Sequence, residues 1–360
     1  MVQKTINYNE VRGNKVKDMI FYLTSNCQLK CSHCYRPTED KPKELTLKDL
    51  QWVKDTFEIK NVNFIGGEPF LYQHLEEALG MFDKITLTTN GVFLATNSQK
   101  IQHWLDVFKK IDKIVINKKG EEEHSFMIQL SIDGNEEMTD EIRGKGVWKK
   151  VMIAAELLKK NKTPCYFRSS YYEGNLESIP WIIDTVCQPL GIPLLLFPQI
   201  GKPPLNTGLQ IWLFKLILDK NMQYKSRHAV SQPHFMQWLG EPGRCAAGSE
   251  RLCITYNREI IPCHFDFDYY LGQVGTPLAI INKNRENFLK SAKSIQSDCI
   301  FCKNSPVCRS SCYMSSSNNG CPLKGNYDID RWANNQNIDM KTFNAQISNM
   351  KGLLRGSLIC

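Results

Sequence analysis

Cys27, Cys31 and Cys34 stand in a Cx3Cx2C array directly after an apolar, β-rich run, Met19-Ile-Phe-Tyr-Leu23. Thiolates are soft metal ligands, and three of them are one short of the four that close a structural zinc site. Holding a cubane of iron and sulfide, the same three would leave one iron without a protein ligand. An open metal position is where chemistry can occur. The plainer alternative is a zinc or structural thiol cluster, since residues i, i+4 and i+7 also share one helix face. Ser25-Asn26 before the array and Arg36-Pro37 after it argue instead for a loop that wraps its ligands. A second field of cysteines lies downstream: Cys245, Cys253 and Cys263, then Cys299, Cys302, Cys308 and Cys312 at Cx2C-x5-C-x3-C spacing, and Cys321. Eight cysteines make two sets of four, which suits a pair of iron–sulfur clusters or a pair of zinc ribbons alike.

Between the two fields the chain alternates between strand and helix patterns. Residues 45–57 carry apolar side chains at helical spacing, with Thr46 as N-cap. Residues 62–65 read as a strand ending in Gly66-Gly67-Glu68-Pro69, with a helix over 72–82 after it. Residues 85–88 form a strand ending at Thr89-Asn90-Gly91, followed by a helix over 97–109. The Lys and Glu runs within 110–124 read as an exposed hairpin or insertion. Residues 126–131 are the next strand, ending at Asp133-Gly134; a helix over 147–160, a strand over 165–168, a helix over 177–187 and a strand over 194–197 complete the series. Such alternation implies parallel βαβ units. Ligands of parallel sheets gather at the C-terminal ends of the strands, where each of these motifs falls. Pro203, Pro204, Pro233 and Pro242 mark a bridge between domains, with a helix over 208–220. The last stretch, 331–360, reads as a polar C-terminal helix.

The Cx3Cx2C array with the aromatic Tyr35 after it resembles the signature of the radical S-adenosylmethionine (SAM) superfamily. That resemblance implies a [4Fe–4S] cluster whose open iron chelates SAM, and a 5'-deoxyadenosyl radical that abstracts hydrogen. Gly66-Gly67-Glu68-Pro69 resembles the family's GGEP motif, implying that the Gly67 backbone and the Glu68 carboxylate receive the SAM ammonium. The resemblance also implies a ribose contact for Ser131, a SAM-carboxylate contact for Arg143, packing near the adenine for His33, and a place in the same ring of strand ends for Asn90. Plainer readings stand beside these: a surface arginine at a helix start, an exposed loop histidine and a turn-forming asparagine.

The downstream field resembles the SPASM extension of that superfamily, which implies two auxiliary [4Fe–4S] clusters. Cys245, Cys253, Cys263 and Cys312 would hold the first, and Cys299, Cys302, Cys308 and Cys321 the second. One departure is Arg258, where the family pattern has glycine; Asn257 is the neighbour able to take a positive φ and rescue the hairpin turn. Another is His264, where sulfatase-maturating relatives carry an aspartate base, which leaves Asp266 and Asp268 as nearby candidates. Cys165 and Cys187 read as buried core thiols and Cys360 as a tail residue. The implied fold is α/β: a partial (β/α)6 barrel within a core over 1–205, a bridging region over 206–244, a small cysteine-rich SPASM domain over 245–330 and the C-terminal helix.

The bulk numbers agree. The chain has 360 residues, 42% of them hydrophobic and 23% charged, as in an ordinary globular protein of about two domains. Its 14 cysteines without a signal peptide point to metal or redox chemistry in the cytoplasm. The formal charge of +8 would fall to about +3 with three clusters bound, so nucleic acid is not an expected partner, and no apolar run is long enough for a membrane. The resemblance implies a radical SAM/SPASM maturase that oxidatively modifies a ribosomally made peptide, forming an intrapeptide C–C or C–S cross-link, with the precursor peptide and an external one-electron reductant as partners. Because 26 residues precede Cys27, docking is expected to use a separate leader-binding protein, an exposed sheet edge or no leader. The alternatives are a formylglycine-forming sulfatase maturase and a non-enzymatic iron–sulfur or zinc scaffold.

Overall fold

The computed structural model describes residues 15–96, 98–116, 122–203, 205, 207–231 and 245–292. Cys299, Cys302, Cys308, Cys312, Cys321, Cys360 and the expected C-terminal helix lie outside the described residues. The fold is α/β with a large, mainly parallel sheet. The described residues fall into two compact units, the first drawn from Met1–Gln28, Arg36–Thr86 and Ala246–Ser294, the second from Leu29–Tyr35 and Leu87–Cys245.

In the first unit, β1 (Asp18–Tyr22) lies between two parallel neighbours, β2 (Asn61–Ile65) and β10 (Arg251–Ile254). The antiparallel strands β11 (Glu259–Ile261) and β12 (Gly272–Gln273) extend the sheet beyond β10. Flanked on both sides, β1 buries Met19, Ile20, Phe21 and Tyr22, a near-continuous apolar run of the kind a central parallel strand requires. Helix α1 (Leu47–Phe57) starts where the sequence places it: Thr46 Oγ1 accepts the Asp49 N–H at 3.2 Å while Asp49 Oδ2 accepts the Thr46 N–H at 2.9 Å, a capping box. The helix expected over 72–82 is shorter, a 3-10 turn at Pro69–Leu71 and then α2 (Leu75–Leu79), because Gly80 ends it.

β3 (Lys84–Thr89) spans the boundary between the units. Helices α3 (Val92–Thr96) and α4 (Ser98–Ile111) follow it, and the charged stretch after them is the expected hairpin, β4 (Ile114–Ile116) paired with β5 (Glu122–His124). In the second unit, β6 (Phe126–Ser131), β7 (Cys165–Tyr171), β8 (Leu194–Pro198) and β9 (Ala229–Val230) run parallel in that order. α6 (Val147–Lys160) packs on β6 and β7 through Val147, Val151, Ala154, Ala155 and Leu158, spaced on one helical face. α7 (Ser178–Ile182) runs through a π-helical turn, Ile183–Cys187, into α8 (Gln188–Leu190), and α9 (Thr207–Tyr224) leads to β9. Two helices depart from the sequence reading: α5 (Glu136–Arg143), and α10 (Leu278–Ala292) in a stretch expected to be mostly turns.

Candidate functional site

In the second unit, the chain after β6 turns at Asp133-Gly134 and enters α5, whose N-cap Asn135 accepts the Met138 N–H at 3.0 Å. Thr139 Oγ1 accepts the Asp133 N–H at 3.2 Å, which folds the turn back on the helix. The last turn of α5 meets the cysteine loop, where the Ser32 N–H donates to Ile142 O at 2.9 Å. A buried cluster results. Arg143 Nε lies 2.6 Å and His33 Nε2 3.0 Å from the same oxygen, Asp133 Oδ2, and the Asp133 side chain is 1% exposed. Burial raises the Asp133 carboxyl, but the Arg143 charge and the His33 hydrogen bond outweigh it and hold the group to about 2. Burial likewise pushes the neighbouring Cys31 thiol up, while Arg143 pulls it down towards the thiolate a metal needs.

Asp133 is the site residue that the sequence reading missed. It appeared there as the end of a strand; the available signal was an acidic residue at a strand terminus ten positions before an arginine. Its Oδ1 and His33 Nδ1 are buried without a hydrogen-bond partner among the described residues. Two such atoms beside the stretch that carries Cys31 and Cys34 suit a small polar ligand with donors of its own, and thiols are the residue type that an iron–sulfur cluster takes. Ser131 ends β6, half-buried, and Asn90 is buried with its Oδ1 accepting the Val92 N–H at 3.0 Å, the turn-forming role. Cys31 is half-buried, Cys34 exposed and Cys245 half-buried.

In the first unit, the loop after β1 carries half-buried Cys27 and runs against the glycine turn after β2. The Gly67 N–H donates to Thr24 O at 2.6 Å and the Glu68 N–H to Asn26 O at 2.7 Å. A Cβ on Gly67 would sit 1.8 Å from Asn26 O, a backbone clash, so only glycine permits this approach. Glu68 is fully buried, and its Oε1 caps the following 3-10 turn through the Phe70 N–H.

Cys253, on β10, is enclosed by Ile20, Tyr22, Ile65, Tyr256 and Ile261, and burial, with a further contribution from Cys263, pushes its thiol well above the usual range. Cys263 is half-buried beyond β11. His264 is half-buried with its ring against Phe265, and its carbonyl accepts the Tyr22 hydroxyl. The Asp266 N–H donates to Cys263 O at 3.0 Å, and Asp268 is exposed. Arg258 itself takes the positive φ, at 69°, where Asn257 was expected to do so. Its side chain reaches helix α1, where Nε lies 3.0 Å from Asp49 Oδ1. Cys187 is buried as expected, whereas Cys165 is half-buried, its thiol pushed up to about 12 by burial. Among the described residues, no three His, Cys, Asp or Glu side chains converge as a metal site.

The radical SAM superfamily model matches residues 21–180, a span holding the three loop cysteines, the Gly66–Pro69 turn, Ser131 and Arg143. Among curated proteins, a probable GTP 3',8-cyclase of Methanococcus maripaludis is 22% identical over 310 residues, covering 80% of this chain and 97% of that protein. The antilisterial bacteriocin subtilosin biosynthesis protein AlbA of Bacillus subtilis is 22% identical over 285 residues, covering 71% of this chain and 56% of AlbA. Among solved structures, Streptococcus suis SuiB bound to SAM superposes with a TM-score of 0.66 at 17% identity, covering 89% of this chain and 79% of SuiB. For anSMEcpe with bound SAM and the Cp18Cys peptide the TM-score is 0.67 at 17% identity, covering 93% of this chain and 99% of that one. Residues 21–180 of the chain thus match the radical SAM superfamily model, and the chain shares its α/β fold with SuiB and anSMEcpe.

Proposed function

We propose that this protein is a radical SAM maturase that oxidatively modifies a ribosomally made peptide, most simply by joining two of its residues through a C–C or C–S bond. The observation that carries the reading is the pairing of a radical SAM domain over residues 21–180 with eight downstream cysteines between 245 and 321. Support also comes from the shared fold with SuiB, which has been solved bound to the precursor peptide SuiA, and with anSMEcpe, solved with a peptide. In this reading Cys27, Cys31 and Cys34 hold the SAM-binding cluster, which supplies a 5'-deoxyadenosyl radical once reduced. Gly67 and Glu68 receive the SAM ammonium. Ser131, Arg143, His33 and Asn90 take its remaining polar groups and adenine, and Asp133 keeps Arg143 and His33 in place. The downstream cysteines would hold two auxiliary clusters, whose chemistry there would be to take up an electron. His264, Asp266 and Asp268 are the candidates for removing the proton. The domain boundaries after residues 205, 244 and 330 belong to the same proposal.

Nucleotide cyclisation is the second reading, favoured by the match along 97% of a probable GTP 3',8-cyclase. Anaerobically reconstituted protein, given dithionite, SAM and peptides encoded beside its gene, is expected to release 5'-deoxyadenosine and to remove two hydrogens from one peptide by mass. Cys31→Ala should release none. Conversion of GTP with every peptide unchanged would replace the first reading with the second; zinc in place of iron in the purified protein would end both.

A further inference from the structure

Gln129, Ser131, Tyr166, Arg168, Ser170 and Phe197 share one face of the second unit's sheet. The register sets Gln129 opposite Tyr166, Ser131 opposite Arg168 and Ser170 opposite Phe197, while Leu130 and Phe167 turn the other way into the core. On this face the Tyr166 hydroxyl donates to Gln129 Oε1 at 2.9 Å, and Gln129 Nε2 donates to Thr88 Oγ1 at 3.0 Å. Polar groups low on the strands are thus satisfied internally. Nearer the C-terminal ends, half-buried Arg168 lies with its Cζ 4.0 Å from the centre of the Phe197 ring. Among the described residues no acidic side chain pairs with Arg168, in contrast to Arg143, which Asp133 neutralises.

A half-buried guanidinium loses hydration and is costly unless a charge completes it. Stacked on a ring, its flat face is covered and its N–H edge is left to bond, a geometry that matches a carboxylate with two parallel hydrogen bonds. Arg168 is mid-strand in β7 but stands opposite Ser131, the last residue of β6, towards the side of a parallel sheet at which ligands bind. A triphosphate would call for several cations; among the described residues the other cation–ring pair on this rim is Lys202 with Tyr172, at 5.1 Å.

We infer that Arg168, braced by Phe197, is the specificity residue of the substrate site, and that the substrate presents a carboxylate there, either an Asp or Glu side chain or a free chain end. The inference rests on the peptide reading above and adds the chemistry of the peptide.

The test is equilibrium dialysis of the anaerobically reconstituted holoenzyme, with SAM, against four pools of acetylated pentapeptides. The pools share mixed flanks, carry a central Glu or Gln, and have a free or amidated C-terminus; GTP is a fifth probe. Wild type is expected to retain a carboxylate pool about ten-fold over the Gln amide pool, the scale of one charge-assisted hydrogen-bonded pair. The pool retained tells a side-chain carboxylate from a chain end. Arg168→Gln should bring the ratio to near one with SAM retention and melting temperature unchanged. Phe197→Leu, which keeps the charge and removes the brace, should reduce the ratio in part. A wild-type ratio near one, a ratio unaltered in Arg168→Gln, loss of SAM retention in that variant, or Arg168-dependent retention of GTP over all peptides would each overturn the inference. Carboxylate selectivity without any change in peptide mass would sink the maturase reading and leave this one standing; a mass change without selectivity would do the reverse.

Discussion

At the scale of single residues, the Asp133 carboxylate is the hinge of the site, because one of its oxygens meets both Arg143 and His33. Asp133→Asn keeps the shape but leaves a buried guanidinium uncompensated, which is expected to cost about 3 kcal/mol of stability by denaturant unfolding. Adding Arg143→Met should restore part of the loss; equal stability of wild type and the single variant would contradict this account. The Cx3Cx2C spacing of the three loop cysteines can be read locally, since those intervals are written in the sequence itself. The place of Asp133 cannot, because its partners come from residues 33 and 143, and only the fold joins them. His228 was equally hidden. It is buried, its Nδ1 accepts the Leu194 N–H at 2.9 Å, its Nε2 has no partner among the described residues, and burial depresses its pKa to about 4. The unfolded chain, near 6.5, therefore takes up the proton first as pH falls, so stability is present above about pH 6.5 and declines by about 3 kcal/mol towards pH 4. His228→Asn retains the acceptor for Leu194 and should flatten that decline in melting temperature measured across pH 7 to 4.

At the scale of elements, regular segments with strong periodicity were readable, and those set by tertiary contact were not. β1, α1, β6 and α6 fall within a few residues of their expected bounds, because apolar spacing and the Thr46 cap are written locally. α5 escaped because its eight residues, Glu136–Arg143, are mostly charged or polar, so the helix is defined by its Asn135 cap and by what it positions. The β10–β11 turn gives the sharpest case. Arg258 sits at φ 69° with its side chain on Asp49, so two effects oppose each other: left-handed strain and an ion pair on a buried carboxylate. Arg258→Gly removes both and should change stability little, whereas Arg258→Ala removes the ion pair and keeps the strain. The alanine variant is expected to be about 1 kcal/mol less stable than the glycine variant, the reverse of the usual order. Thermal unfolding of the two variants side by side decides it.

At the scale of the whole molecule, the chain's far end completes its beginning. β10 pairs with β1 from Asp18 opposite Arg251 to Phe21 opposite Ile254, and the Tyr22 ring lies 6.2 Å from that of Tyr256 and 5.3 Å from that of Phe267. A reading of the sequence as a self-sufficient core followed by a cysteine-rich appendage could not see this, because strand pairing between residues more than 200 apart leaves no periodic trace. The consequence is testable by truncation. A chain ending at residue 244 keeps Cys27, Cys31, Cys34, Glu68, Ser131 and Arg143, yet strips β1 of one neighbour and uncovers Ile20 and Tyr22 along a flat, apolar edge. Such an edge pairs with other chains. The truncated protein is therefore expected to be recovered mainly as aggregate on size exclusion and to release no 5'-deoxyadenosine, despite retaining every residue proposed to hold SAM. A soluble, monodisperse fragment that still cleaves SAM would mean that β1 is adequately covered without β10, and that the residues after 245 are an addition to the core and not part of it.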